Sequence, residues 1–391
     1  MTGTTLGSLA ATGVLSLGDG YRTKQSELAN EGFRIVRVAD VKDGRVSFDG
    51  PDSVSTAYSR QIGAKCATAG DVLLTTKGTI GRVAVVPDSP PPAVYSPQLC
   101  WFRVTRADVI QPRYLAYWLQ SPAFLTQASY MQGNTDMAPY ISLSDLRDSK
   151  IDLPSPGEQQ AIAEVLGALD DKIAANTAVA KCADELMHFE FRAAPKGREV
   201  PLSATAEFIN GKAFTKGASG TGRVVVRIAE LNNGISASTV YSDSIVDDKH
   251  VARPGDILFA WSGSLTLHRW FRAEAIVNQH IFKVIPKAGY PTWLAYELLR
   301  HKLDDYRAIA ADKATTMGHI QRHHLDEPID TPSPETIDRL DALMSGLWSS
   351  ALSAEQESLT LMATRDALLP QLMSGKLRVR DAEKIAADAG A

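Results

Sequence analysis

The chain has 391 residues, 44% of them hydrophobic and 22% charged, with a formal net charge of −4 at pH 7. This composition belongs to soluble globular proteins too long for one small core, and it excludes wholesale disorder, a collagen-like repeat and a disulfide framework. No apolar run approaches the ~18 residues of a membrane span, residues 1–17 carry no basic leader, and Cys66, Cys100 and Cys182 form no CxxC pair, so a cytoplasmic location is expected.

Taken in chain order, β-branched runs at Arg34–Ala39, Asp71–Thr75 and Val83–Val86 are bounded by Gly, Pro and Asp, which predicts strands. Tyr114–Gln127 has helical spacing, with Pro112 just before it. From Ile162 the apolar residues step by four and three through Leu166, Leu169, Ile173, Ala180, Ala183 and Met187, with Asn176 filling one slot. That is a heptad seam. A helix from Gly157 to Arg192 would span ~54 Å at ~1.5 Å per residue. Strand signals return at Val224–Ile228, and helical spacing returns over Thr292–Leu303 after Pro291. A second seam then runs through Ile337, Leu340, Met344, Leu347, Ala351, Ala354, Leu361, Leu368 and Leu372, interrupted by Ser358 and Arg365.

The second half repeats the first. Arg37-Val-Ala-Asp-Val-Lys-Asp-Gly44 recurs as Arg227-Ile-Ala-Glu-Leu-Asn-Asn-Gly234, and Gly70-Asp-Val-Leu-Leu74 as Gly255-Asp-Ile-Leu-Phe259. Gln98 is matched by Gln279, Tyr114-Leu-Ala-Tyr117 by Trp293-Leu-Ala-Tyr296, and Leu153-Pro-Ser-Pro156 by Thr331-Pro-Ser-Pro334. The offsets fall from 190 to 178 residues in constant order, which marks duplicated domains rather than a solenoid.

The expected fold class is therefore α+β (mixed α/β). Two duplicated globular domains, residues 1–155 and 195–332, alternate with long helices over 156–194 and 333–378, and residues 379–391 form a C-terminal tail. A narrow-striped helix needs a partner, and the two most simply pair as an antiparallel coiled coil, giving a pseudo-twofold molecule; a polar Asn176 in the seam would fix register. Charge follows the same division. Residues 1–150 carry 15 Lys and Arg against 13 Asp and Glu, and residues 196–330 carry 17 against 15. The helical stretches are acidic, 3 against 8 over 151–195 and 6 against 9 over 331–391. Solvated helices explain this as readily as a partner does, so charge alone leaves function open.

The string Leu153-Pro-Ser-Pro-Gly-Glu158-Gln159-Gln160 through Leu166, then Leu169-Asp-Asp-Lys-Ile173 and Asn176, resembles the central region of type I restriction-modification specificity subunits. Arg365-Asp-Ala-Leu-Leu-Pro370 through Gly375-Lys-Leu377 resembles the end of their distal helix, and Gly133-Asn-Thr135 through Ile141 and Leu146–Pro154 their exit from the first target recognition domain. The resemblance implies a non-catalytic, double-stranded-DNA-reading subunit with one recognition domain per half of a split asymmetric target and the paired helices as spacer. It implies two DNA methyltransferase subunits docked on the helices, Glu158, Gln159 and Gln160 being candidate contacts, and restriction (motor-nuclease) subunits joining them. S-adenosylmethionine, ATP and Mg²⁺ would be bound by those partners, with no cofactor or metal in this chain. The second copy, Glu335-Thr-Ile-Asp338, lacks the Glu-Gln-Gln, so such a contact would be asymmetric.

Within such a reader, the first candidate for DNA is the loop Thr75-Thr76-Lys77-Gly-Thr79-Ile-Gly-Arg82, whose glycines permit close approach and whose cations suit phosphate or guanine. Its counterpart offers Trp261, Ser262, Ser264, Thr266, His268 and Arg269, a different chemistry for a different half-site. Tyr21, Arg22 and Lys24 are matched loosely by Lys212, Phe214 and Lys216. Arg60 and Lys65 are weaker candidates, and His319, Arg322, His323 and His324 form a basic cluster unsuited to a metal.

Two other classes compete. Asp136-Met-Ala-Pro139-Tyr140 faintly suggests the Asp-Pro-Pro-Tyr pocket of adenine methyltransferases, but Ala138 replaces a proline and no Gly-rich strand-to-helix turn accompanies it. Thr76-Lys77-Gly78-Thr79 lacks the spacing of a P-loop. The third class is an assembly scaffold that never touches DNA.

Overall fold

The computed structural model describes residues 2–42, 44–131, 139–312 and 318–391. Gly133–Thr135 and Asp136–Ala138, singled out above, lie outside them. The chain forms two compact units: residues 1–172 with 361–391, and residues 173–360.

The first unit holds an antiparallel sheet in the order Leu15–Asp19, Leu99–Val104, Val72–Thr75, Val83–Val85. Beside it is a mixed sheet in which Phe33–Val36 pairs in parallel with Ala93–Tyr95 and antiparallel with Ser53–Val54, which in turn pairs with Leu28–Ala29. Thr2–Thr5 pairs with Lys150–Leu153. The second unit repeats this plan. Ala206–Asn210, Ile281–Pro286, Ile257–Ala260 and Thr266–Arg269 form the antiparallel sheet. Arg223–Val226 lies parallel to Ala275–Val277, and Lys196–Pro201 pairs with Pro328–Pro332.

The repeated motifs are the local chemistry of this shared plan. In Arg37-Val-Ala-Asp40 the Asp40 carboxylate accepts from the Arg37 backbone N–H at 2.7 Å, and in Arg227-Ile-Ala-Glu230 the Glu230 carboxylate does so at 3.0 Å. Each closes the first turn of a short helix. In the Gly-Asp motifs, Gly70 (φ +77°) and Gly255 (φ +91°) supply a left-handed turn, and Asp71 and Asp256 accept from the backbone N–H three residues earlier. A cation from the equivalent strand of each unit meets each carboxylate: Arg103 on the buried Asp71 at 2.7 Å, Lys283 on the half-buried Asp256 at 2.9 Å. In Pro-Ser-Pro, Ser155 and Ser333 accept from the N–H groups of Glu158 and Thr336, with Pro156 and Pro334 in the first helical turn.

Those caps start the two long helices, Pro156–Ala193 and Pro334–Met373, called proximal and distal below. Within the second unit they pack antiparallel: Ala180 and Ala183 meet Ala351 and Ala354, and Asn176 Nδ2 donates to Glu357 Oε2 at 2.7 Å. Within the first unit Asp170 of the proximal helix meets Arg365 of the distal helix at 2.8 Å. The small alanines allow close approach, and the seam residues Ile162, Leu166, Leu169, Leu361, Leu368 and Leu372 are buried. The distal helix ends where Gly375 (φ +68°) turns left-handed and Lys376 donates back to Gln371, a Schellman-type stop. Residues taken as a tail carry a further helix, Val379–Asp388.

One helix differs from its expected form. The stretch Tyr114–Gln127 is two helices, Pro112–Trp118 and Pro122–Met131, whereas Thr292–Asp312 in the second unit is continuous. Pro122 has no N–H to extend the first helix and starts the second instead.

Candidate nucleic-acid interface

In the first unit the loop after the Val72–Thr75 strand is a hairpin with a structural base and an exposed tip. Thr75 is fully buried; its backbone N–H donates to the Arg82 carbonyl at 2.9 Å, and its Oγ1 accepts from the Arg82 N–H at 2.9 Å. Thr76 is buried, donating through both N–H and Oγ1 to the Gln98 carbonyl. Arg82 turns inward, its guanidinium donating to the carbonyls of Val38 and Val41. Lys77, Gly78 and Thr79 face solvent, with Gly78 at φ +78°. Of the expected loop residues, then, Thr75, Thr76 and Arg82 hold the shape and Lys77 and Thr79 present it.

The structure adds a segment that local sequence reasoning missed. Lys77 forms an isolated antiparallel bridge with Tyr140, the Ile141 N–H donates to the Thr76 carbonyl at 3.0 Å, and Lys77 Nζ lies 5.4 Å from the Tyr140 ring centroid. Nothing in residues 70–82 signals a partner some 60 residues away.

The second unit builds the same frame from different side chains. Trp261 and Ser262 occupy the places of Thr76 and Lys77: the Trp261 N–H donates to the His280 carbonyl, the Ile320 N–H donates to the Trp261 carbonyl, and Ser262 bridges His319. These bonds set Gln98 opposite His280, one residue past Gln279, the match the repeat had suggested. Pro97, which has no N–H, stands opposite Gln279, and the one-residue shift follows from the strand register: Leu99 faces Thr75 where Ile281 faces Ala260.

Trp261 is held by its indole N–H on Asn210 Oδ1 at 2.9 Å, with the rings of His280 and His319 5.2 and 6.3 Å away. His280 is the one described non-glycine residue at positive φ, +73°, a conformation costing on the order of 1–3 kcal/mol. Its Nδ1 is enclosed with no hydrogen-bond partner among the described residues. Ser264, Thr266 and His268 converge on Asn232, at 2.8, 3.0 and 3.3 Å, and burial pushes the His268 imidazole pKa down. Asn232 went unnoticed in the sequence, although it lies inside the repeated Arg227–Gly234 motif.

Arg269 stands apart from the surface expected of it. It is buried, bonded through Nε to Glu355 at 2.8 Å and through Nη1 to Asp184 at 3.0 Å, over the Trp348 ring at 4.7 Å. Burial works against its charge, but the two carboxylates outweigh it and raise the pKa. It ties its strand to both long helices of the second unit.

Of the remaining candidates, Arg22, Lys24, Lys212, Lys216 and Arg322 are exposed. Tyr21 packs beside the Ile35, Val54, Ile62 and Val94 cluster, where burial and a hydrogen bond with Glu27 raise its pKa. Among the helix residues, Glu158 and Gln160 are exposed, but Gln159 is fully buried: Oε1 accepts from the Gln111 N–H, and Nε2 donates to the carbonyls of Val109 and Pro154. It anchors the helix start to its own domain. Among the described residues no cluster of His, Cys, Asp or Glu is placed to hold a metal ion, and no helix is long and apolar enough to cross a membrane.

Comparison with known proteins follows this geometry. A family model, the type I restriction modification DNA specificity domain, matches residues 10–181. The chain is 28% identical over 139 residues to the type I restriction enzyme EcoBI specificity subunit of Escherichia coli, covering 34% of this chain and 27% of that one, about a quarter of the relative's length. It is 23% identical over 386 residues to the type I restriction enzyme MjaIX specificity subunit of Methanocaldococcus jannaschii, covering 85% of this chain and 83% of the other. The crystal structure of the type I restriction-modification S subunit from M. genitalium has the same fold, with a TM-score of 0.57 at 15% identity and 95% of each chain covered.

Proposed function

Because the chain belongs to the family of type I restriction-modification specificity subunits, we propose that it reads DNA for such a complex without catalysis of its own. Each recognition domain contacts one half of a bipartite, asymmetric target. The proximal helix, 38 residues and ~57 Å long at ~1.5 Å per residue, joins the two domains and, paired with the distal helix, sets the spacer. The exposed helix faces, Glu158 and Gln160 included, dock two DNA methyltransferase subunits, and motor-nuclease subunits complete the assembly in the cytoplasm. S-adenosylmethionine, ATP and Mg²⁺ belong to those partners.

The observation that carries this reading is the duplicated frame holding unlike side chains. The same bridge carries Lys77 and Tyr140 in one copy and Ser262 and His319 in the other. A scaffold gains nothing from diversifying equivalent positions on one constant frame, whereas two readers of two different half-sites require it. Fusing the copies in one chain lets them diverge, so the target need not be palindromic.

The test is duplex binding by the chain assembled with its methyltransferase subunits. Affinity should fall steeply with salt and discriminate sequence. Affinity indifferent to both returns the molecule to an assembly scaffold, and calorimetric binding of S-adenosylmethionine to the chain alone points to a methyltransferase. Removing one heptad from each long helix should shorten the tolerated spacer while both half-sites persist.

A further inference from the structure

We propose that three equivalent positions in each recognition domain form its base-reading site: Lys77, Gln98 and Tyr140 for one half-site, and for the other His280 and His319, set around the Trp261 ring, with Ser262 covered at the third position. This rests on the DNA-reading function above and names the residues of that site. Three separate segments meet at this point in both units through the same backbone bonds. Thr76 and Trp261 donate to the carbonyls of Gln98 and His280, and accept from the N–H groups of Ile141 and Ile320. The frame is constant while all three side chains differ, the pattern of a site built once and retuned.

The chemistry suits base edges in a groove. Lys77 is exposed and addresses guanine O6 and N7, and the exposed Gln98 amide can pair with adenine N6 and N7. Tyr140, 44% exposed, brings a ring and a hydroxyl beside Lys77. In the second copy Ser262 is covered, so the contact falls to the His319 ring and to the other nitrogen of His280, Nε2, its Nδ1 being enclosed. His280 gives the sharpest indication. A left-handed backbone and an enclosed nitrogen without a partner both oppose folding, and a glycine would relieve both. The imidazole therefore serves something other than stability.

The assembled methyltransferase complex is expressed with wild-type chain, His280→Gly or Tyr140→Ala, and the methylated motif is mapped by single-molecule sequencing. His280→Gly should melt at or above the wild-type temperature and relax discrimination roughly tenfold at one or two bases of a single half-site. Tyr140→Ala should do so in the other half-site only. Unchanged motifs in both variants, or one variant altering both halves, overturn the assignment. A wild-type motif that is not bipartite overturns the proposed function itself, which separates the two failures.

Discussion

Asn176 on the proximal helix and Glu357 on the distal helix share a 2.7 Å hydrogen bond beside the alanine contacts of the seam. Such a pair favours the one alignment that satisfies it, because a slipped register leaves the amide among alanines. Asn176→Ala should cost about 1 kcal/mol, and a double-mutant cycle with Glu357→Ala should return a coupling of similar size. Additive melting shifts would assign the register to the alanine packing alone.

Arg269 is the opposite case, a buried cation held by two carboxylates. Arg269→Ala strands Asp184 and Glu355 and should lower stability by about 3–5 kcal/mol. Arg269→Lys should recover only part of this, since an ammonium cannot fork to both acids. Denaturant titration of the two variants checks the order.

The buried Gln159 predicts a separation of effects. Gln159→Ala should cost about 2–3 kcal/mol by orphaning the Gln111 N–H and the Val109 and Pro154 carbonyls. Glu158→Ala and Gln160→Ala should leave melting unchanged and weaken methyltransferase docking. Co-purification yields and melting curves of the three variants distinguish anchor from contact.

Glu297 sets a pH dependence. It is fully buried, and desolvation raises its pKa above the ordinary carboxylate value despite His188 at 2.8 Å and the nearby Arg300. A raised folded-state value means its contribution is complete below the unfolded carboxylate pKa and is lost as pH rises through the folded one. Wild-type stability should therefore decline over that window, and Glu297→Gln should abolish the decline. An equal slope in both proteins would show that the charge is fully compensated.

Much of this architecture was legible beforehand, for reasons that are local. Pro-Ser-Pro is a helix start wherever it occurs, Arg-x-Ala-Asp/Glu closes a first turn, and a four-three apolar rhythm needs only neighbours one turn away. Pro122 was equally readable as a break. What escaped was non-local. Tyr140 and His319 reach their hairpins across some 60 residues, so no window around Lys77 or Ser262 contains them. Arg269 read as a surface cation because Asp184 and Glu355 lie 85 and 86 residues away on either side. Gln159 sits in an exposed-looking string, and only the fold turns it inward.

The first compact unit is completed by Leu361–Ala391, after 188 intervening residues have been made. At ~5–20 residues per second the ribosome leaves that unit unfinished for roughly 10–40 s, while the second unit, contiguous from 173 to 360, can already be whole. The unit begun first is thus the one whose residues are complete last. A chain cut short before Leu361 would lack part of the unit that its own first residues begin.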